Sequence, residues 1–188
     1  MKILGIAGTN GSGKDSLAAL LKDDYGWFFV SSSGDLIIPE LKRLGRPLER
    51  EQMSALTTEW RQKEGMGAVV DRAVKLCESS GKKYEGLVVG SLRHPGEVQR
   101  VHELGGKVVW VDASPHVRYE RIYSRAQGDK DQKTYQQFLA EEKAEMAHSG
   151  DDATLNMAAV KKNADIFIEN GSNDLEAFKA QVKKTLNL

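Results

Sequence analysis

The sequence predicts an α/β protein with a doubly wound parallel sheet of five strands. Five short apolar runs alternate with segments in which apolar residues recur at helical spacing. The runs are continuous, as in strands that are covered on both faces. A glycine-rich turn joins the first run directly to the first helical segment. The length of 188 residues predicts a single domain, 1–188.

The predicted strands are the apolar runs 3–7, 27–30, 87–90, 108–111 and 166–168. Helical spacing predicts helices between them, at 36–44, 48–64, 69–77, 134–147 and 153–162, with others around Leu17, Val98, Val117 and Phe178. Ser114 followed by Pro115 is typical of a helix start. The polar run 127–132 breaks the periodicity and predicts a loop.

The composition excludes several classes of partner. Lys and Arg number 27, as do Asp and Glu, so the formal net charge is zero and no basic field favours nucleic acid or a membrane surface. The first apolar run is too short for a signal peptide, and no stretch resembles a membrane span. These features predict a cytoplasmic protein. The single cysteine, Cys77, lies on an apolar helical face and is expected to be a buried, inert thiol.

The strongest functional signal is the turn after the first strand. Gly8, Gly13 and Lys14 form the pattern G-x-x-x-x-G-K between a strand and a helix, which is the P-loop context. Glycines let backbone N–H groups converge on a phosphate, and the helix N-terminus adds free donors. Lys14 supplies a mobile charge for the β- and γ-phosphates. The predicted phosphate-binding residues are Gly8, Asn10, Gly11, Ser12, Gly13, Lys14, Asp15 and Ser16.

Two aspartates are candidate Mg²⁺ ligands. Asp15 stands where a P-loop normally has Ser or Thr, and Ser16 follows one residue later. A carboxylate is still an oxygen ligand for a hard cation, although Asp15 would also be favourable simply in the first turn of a helix. Asp35, in the loop after the second strand, could bind the metal or the acceptor, or cap a helix.

Arginines supply the remaining candidates. Arg93 follows the third strand, where its planar fork would suit an acceptor phosphate. Arg118, Arg121 and Arg125 lie at i, i+3 and i+7 and share one helix face. That face is either a solvated basic surface or the start of a lid that closes on the donor and excludes water. Asp112, after the fourth strand, is either a turn residue or a site residue.

The whole chain resembles the P-loop nucleoside monophosphate kinases and dephospho-coenzyme A kinases. The resemblance rests on the P-loop and on Ser33–Leu36, Leu92–Arg93, Arg121-x-x-x-Arg125 and 164–170. It implies a sheet of order 2-3-1-4-5, an acceptor-binding region at about 35–80 and a lid at about 121–134.

The same resemblance implies catalytic roles. Lys14 would be the donor-phosphate lysine, Arg93 the acceptor-phosphate arginine, and Arg121 and Arg125 the lid arginines. The chain departs from the family pattern at Gly90–Ser91, where many members have Asp-Gly, and at Ile38, where relatives often have arginine. Gly-Lys-Asp is similar to the P-loop of some deoxynucleoside monophosphate kinases and phosphomevalonate kinases.

The predicted function is therefore an ATP- and Mg²⁺-dependent small-molecule kinase. Its acceptor would be a nucleoside or deoxynucleoside monophosphate. The alternatives are a dephospho-coenzyme A kinase and a non-catalytic nucleotide-binding regulator. A GTPase is not expected, because the sequence lacks an Asn-Lys-x-Asp guanine motif.

Overall fold

The predicted sheet is present in the computed structural model, which describes residues 1–125, 134–147 and 150–188, without the side chain of Arg125. All pairings are parallel and the strand order is β2-β3-β1-β4-β5, which confirms the predicted fold class and order. The strands are β1 (Lys2–Gly8), β2 (Phe28–Ser31), β3 (Gly86–Gly90), β4 (Lys107–Asp112) and β5 (Ile166–Glu169).

Helices connect the strands. Between the first three strands lie α1 (Lys14–Tyr25), α2 (Ile38–Arg43), α3 (Arg50–Glu64) and α4 (Ala68–Ser79). The second half of the chain forms α5 (Pro95–Glu103), α6 (Pro115–Arg125), α7 (Tyr135–Met146), α8 (Met157–Lys162) and α9 (Leu175–Leu186).

The sheet is buried on both faces, as its continuous apolar strands require. One cluster packs α4, α5 and α8 onto one face, and a second packs α1 and α9 onto the other. β1 is central, because it pairs with β3 on one side and β4 on the other. The carboxyl ends of these three strands therefore meet at one edge of the sheet, where α/β proteins bind their ligands.

The region predicted to bind the acceptor, about 35–80, consists mainly of helices. It has its own small core, formed by Ile37, Leu41, Leu56, Trp60, Ala68 and Val69. α4 connects this small core to the sheet, because it also contacts β2 and β3.

Two elements differ from the sequence prediction. The turn after β2 is a π-helical segment, Ser32–Ile37, which Ser31 begins by accepting a hydrogen bond from the Gly34 N–H. The helix expected from about Ala153 begins only at Met157, because the Asn156 side chain caps it by accepting from the Ala159 N–H.

The central part of the predicted lid, residues 126–133, lies outside the described residues. Its flanks are described: α6 ends at Arg125, and Thr134 caps α7 through the Gln137 N–H. Within the described part of the chain, no helix is long and apolar enough to cross a membrane.

Candidate active site

The P-loop leads from β1 into α1 through glycines in conformations that other residues rarely adopt. Gly11 has φ 77° and Gly13 has φ 96°. A Cβ on Gly13 would overlap Asn170 Nδ2, which donates a hydrogen bond to the Ser12 carbonyl at 2.9 Å. The loop after β5 therefore fixes the P-loop backbone, and the glycine is needed for space as well as for φ.

A cavity of about 290 Å³ lies beside the second half of the P-loop and is called the Lys14 cavity below. Its floor is the N-terminus of α1, whose free N–H groups and dipole favour an anion. It is lined by Gly11, Gly13, Lys14, Asp15, Ser16, Arg121, Ser124, Asn170, Ser172, Asn173, Asp174, Leu175 and Phe178. Lys14 Nζ also lies 3.4 Å from the Thr9 carbonyl oxygen, to which it donates. The arrangement suits a phosphate chain next to a partly apolar compartment.

The side chain of Arg121 contacts both the P-loop and the loop after β5. Its guanidinium donates to the Gly11 carbonyl at 3.2 Å and to the Asn170 carbonyl at 3.0 Å. It also bonds the Ser172 carbonyl and the Asn173 side chain. Burial lowers the pKa of this guanidinium from its ordinary value. The structure thus brings Arg121 to the predicted phosphate site, whereas the side chain of Arg125 lies outside the described residues.

The two candidate Mg²⁺ ligands lie in different places. Asp15 is exposed and lines the Lys14 cavity with Ser16, so a carboxylate and a hydroxyl oxygen face the same space. Asp35 does not line that cavity, and its carboxylate accepts from the Ser31 N–H at 2.7 Å. Among residues 1–125, 134–147 and 150–188, no cluster of three His, Cys, Asp or Glu could hold a metal ion. Any Mg²⁺ here would share its coordination with phosphate oxygens and water, as Mg²⁺ commonly does.

Asp112 supports the P-loop from β4. Its Oδ1 accepts from the Thr9 hydroxyl at 2.9 Å, and its Oδ2 accepts from Lys161 Nζ at 3.0 Å. Burial by itself would raise the pKa of this carboxyl. Hydrogen bonds from Lys161, Trp110, Thr9 and the Ala113 N–H outweigh that effect and lower the pKa. Asp112 is therefore ionised and holds the start of the P-loop in place through Thr9. The sequence left open whether it is a turn residue or a site residue, and its contacts make it a structural support for the P-loop.

Arg93 lies at the end of β3, on a loop that a buried ion pair holds in place. Glu97 is 1% exposed, and its Oε1 accepts from Arg61 Nη2 at 2.8 Å. Its Oε2 accepts from the backbone N–H groups of Arg93 and His94, at 2.7 and 3.2 Å. The Arg93 side chain itself is 46% exposed and lies 3.8 Å from Glu145. The backbone of Arg93 is fixed while its guanidinium remains accessible.

β3 ends without a carboxylate. Gly90 is followed by Ser91, which has φ 64°, a conformation uncommon for a residue with a side chain. The Gly90 carbonyl accepts a hydrogen bond from the Ser32 hydroxyl, and the Leu92 N–H donates to the Ile6 carbonyl at 3.0 Å. This strand end is thus tied to β1 and to the π-helical segment by neutral groups.

A second cavity, called the Arg118 cavity below, lies beside the first half of the P-loop. It has a volume of about 30 Å³, and its lining includes Thr9, Asn10, Arg50, Arg118, Phe138, Glu142 and Glu145. Arg118 is 3% exposed and forms an ion pair with Glu142. Of the three arginines on the face of α6, Arg118 is therefore buried, which excludes the solvated surface considered for it.

The sequence did not single out Arg50, Glu142 or Glu145 as site residues. Their only local signal is the spacing of the two glutamates, i and i+3 on α7, which puts both on one helix face. They meet the arginines through contacts that span long stretches of sequence.

The sequence of the chain matches a known protein family. A family model described as an AAA domain matches residues 4–148. A UPF0200 protein of Pyrococcus abyssi is 32% identical over 148 residues, which cover 77% of this chain and 78% of the relative. The chain belongs to the UPF0200 family and contains an AAA domain. A second member of the UPF0200 family, from Methanosarcina barkeri, is 28% identical across 100% of this chain and 95% of its own.

Solved structures share the fold. A shikimate kinase from Bacteroides thetaiotaomicron matches with a TM-score of 0.56 and 13% identity, covering 100% of this chain and 99% of its own. A gluconokinase from Sinorhizobium meliloti 1021 matches with a TM-score of 0.56 and 16% identity, covering 99% and 91%. These likenesses confirm a P-loop kinase-like fold for this UPF0200 member. The narrower resemblance to nucleoside monophosphate kinases and dephospho-coenzyme A kinases stays a prediction.

Proposed function

We propose that the protein is a kinase that transfers the γ-phosphoryl group of ATP, with Mg²⁺, to a small acceptor that already carries a phosphate. The first choice of acceptor is a nucleoside or deoxynucleoside monophosphate. The observation that supports the proposal most directly is the Lys14 cavity, where Lys14, the α1 N-terminus and Arg121 face one space. Such a site neutralises the charge that develops on the phosphates during transfer.

On the donor side, the backbone of Gly11–Lys14 would hold the β- and γ-phosphates. Lys14 would follow the charge as the γ-phosphoryl moves. The nucleoside would lie against Asn173, Leu175 and Phe178, polar and apolar residues that line the same cavity. Mg²⁺, held by Asp15 and Ser16 with phosphate oxygens, would neutralise charge on the transferred group.

On the acceptor side, the absence of a carboxylate at Gly90–Ser91 favours a phosphate nucleophile. A phosphate monoester has its second pKa near 6, so its oxygen is already ionised at neutral pH. That oxygen attacks the γ-phosphorus, the bond to the β-phosphate oxygen breaks, and ADP leaves without any proton transfer. A general base is therefore not required. Arg93, exposed at the end of β3, would bind the acceptor phosphate.

One observation supports a hydroxyl acceptor instead, as in a dephospho-coenzyme A kinase. Asp35 lies in the π-helical segment after β2, at the carboxyl end of the sheet, and could take the hydroxyl proton. It would have to do so while one carboxylate oxygen accepts from the Ser31 N–H.

The test is ADP formation from Mg·ATP with a panel of acceptors and with Lys14→Ala as the blank. The panel contains the ribo- and deoxyribonucleoside monophosphates, dephospho-coenzyme A and phosphomevalonate. We expect turnover with one monophosphate class. Turnover with dephospho-coenzyme A alone would favour the hydroxyl acceptor. Tight ATP binding with no turnover in the whole panel would contradict the kinase and favour a nucleotide-binding regulator.

A further inference from the structure

Arg118 is a buried arginine whose donors are only partly used. Its Nε donates to the Ala113 carbonyl at 2.7 Å, and its Nη2 pairs with Glu142. Its Nη1 is buried and has no hydrogen-bond partner among the described residues. A buried donor without a partner costs free energy, so it is usually kept for a ligand or another functional need.

We propose that Arg118 anchors a binding site for a phosphate group of the acceptor. Arg50 and Arg93 complete the site, and Glu142 and Glu145 occupy it until the phosphate displaces them. The inference rests on the proposed function, because it assigns a subsite to the acceptor of that reaction.

The position of the Arg118 cavity fits this role. Thr9 and Asn10 line it, whereas Gly11–Ser16 contribute to the Lys14 cavity, so both cavities border the same loop. Lys14 donates to the Thr9 carbonyl and so lies at the boundary between them. A phosphate at Arg118 would therefore lie next to the phosphates of the donor.

The carboxylates of α7 pair with the arginines that would bind the phosphate. Glu145 lies 3.1 Å from Arg50 and 3.8 Å from Arg93, and Glu142 pairs with Arg118. Two glutamates on one face of α7 thus pair with three arginines that lie far apart in the sequence, and Arg118 also lies 3.6 Å from Asp112. The match in charge and in hydrogen-bonding geometry is that of a phosphate monoester, which offers up to two charges and three acceptor oxygens.

The side chains differ in how close they lie to solvent. The side chain of Arg118 is 4% exposed, whereas those of Glu142 and Glu145 are 20% and 31% exposed. The glutamates can turn toward water, while the arginine is held by the Ala113 carbonyl. Since a volume of about 30 Å³ holds no more than a water or two, phosphate entry requires this displacement.

The experiment is calorimetric titration of inorganic phosphate into the full chain with the Lys14 cavity filled by Mg·ADP. In Glu142→Gln the competing charge is gone, so we expect phosphate to bind about tenfold more tightly. In Arg118→Lys the fork is lost, so we expect binding about tenfold weaker. Glu103→Gln, which removes a carboxylate from Arg100 on α5, is the matched control and should leave binding within about twofold.

If the Arg118–Glu142 pair has only a structural role, removing the Glu142 charge changes stability and leaves phosphate affinity unchanged. Glu142→Gln would then lower the melting temperature and leave phosphate binding within about twofold of wild type, which would overturn the proposal. Glu142→Gln decides the matter even where Arg118→Lys fails to fold. ADP formation is measured in parallel: turnover with unchanged phosphate binding in Glu142→Gln would reject only the subsite. Tightened phosphate binding without turnover would reject only the kinase.

Discussion

The Lys14 cavity and the Arg118 cavity border the same loop, but they differ in what lines them. The first is open, about 290 Å³, and its phosphate-binding groups come from the backbone of the P-loop and the N-terminus of α1. The second is smaller, about 30 Å³, and the charged side chains in its lining pair with one another, Arg50 with Glu145 and Arg118 with Glu142. The proposed donor site is thus formed before any ligand binds, whereas the arginines of the proposed acceptor site are paired with the protein's own carboxylates.

The comparison suggests an order of events. A preformed backbone site binds phosphate without rearrangement, so its affinity is not reduced by a conformational cost. A site filled by internal ion pairs binds only after they separate, so its apparent affinity is lower than its intrinsic one. We therefore expect the donor to bind well alone and the acceptor to bind weakly alone.

The largest expected effect is on stability, at the buried ion pair that holds the loop of Arg93. In Glu97→Ala, Arg61 is left as an uncompensated buried charge, since it is 3% exposed. We expect a loss of about 3–5 kcal/mol in the free energy of unfolding, measured by denaturant titration. Glu103→Ala, at the exposed end of the same helix, is the control. A loss no greater than that of the control would contradict a structural role for the pair.

The next effect concerns catalysis in the Lys14 cavity. Under the proposed function, Lys14→Ala removes the cation that would follow the transferred phosphoryl group, so we expect ADP formation to fall by about 10²-fold or more. Lys179→Ala, which removes an ammonium paired with Glu176 on α9, is the control for charge alone. Turnover above about a tenth of wild type in Lys14→Ala would mean that the P-loop is not the catalytic site.

A smaller effect tests whether ATP binding at the proposed donor site depends on the backbone conformation of the P-loop. Gly13→Ala combines φ 96° with an overlap on Asn170, whereas Gly26→Ala has φ 64° and no atom within 4 Å of the added Cβ. We expect each to lose about 1–2 kcal/mol of stability through strain. Only Gly13→Ala should also weaken ATP binding, measured by calorimetry. Equal ATP affinities in the two variants would show that Asn170 does not shape the P-loop.

The smallest expected effect is a pH-dependent contribution of Asp112 to the free energy of unfolding. Its pKa is lowered in the folded protein, so its ionised form stabilises the fold above the ordinary value of 3.8. That contribution is lost as the pH falls through the folded pKa. Asp112→Asn should be less stable than wild type by roughly 1 kcal/mol at neutral pH, and the gap should close in acid. A gap that stays constant down to pH 2 would contradict an ionised support at Asp112.

The sequence indicated the P-loop and its surroundings more fully than the surroundings of Arg118, for a physical reason. The P-loop is local: its glycines, Lys14 and the helix start are contiguous, so their geometry follows from residues 8–16 alone. Asn170 belongs to the segment 164–170 on which the family resemblance rests. Its hydrogen bond to the Ser12 carbonyl could not be predicted, because it joins residues 158 positions apart. Arg121 was predicted to be a lid arginine, and its contacts with the Gly11 and Asn170 carbonyls became visible only in the fold.

The Arg118 cavity could not be predicted in this way. Arg50, Arg118 and Glu145 come from α3, α6 and α7, and no short motif connects them. The helical face of α6 was recognisable, but whether Arg118 would point to solvent or to the interior depends on how α7 packs. The same limitation applies to Glu97, an ordinary helical glutamate in the sequence that becomes a buried partner of Arg61. Side-chain pairing between distant helices is decided by packing, which periodicity does not encode.

The assignment of donor and acceptor to the two cavities is tested most directly by Arg93→Ala. The dissociation constant of ATP and the KM of the acceptor identified by the panel are measured on the same preparation. We predict that the acceptor KM rises about tenfold while ATP binding is unchanged, because Arg93 lies 3.8 Å from Glu145 of the Arg118 cavity and outside the lining of the Lys14 cavity. Weaker ATP binding with an unchanged acceptor KM would contradict the account and reverse the two sides.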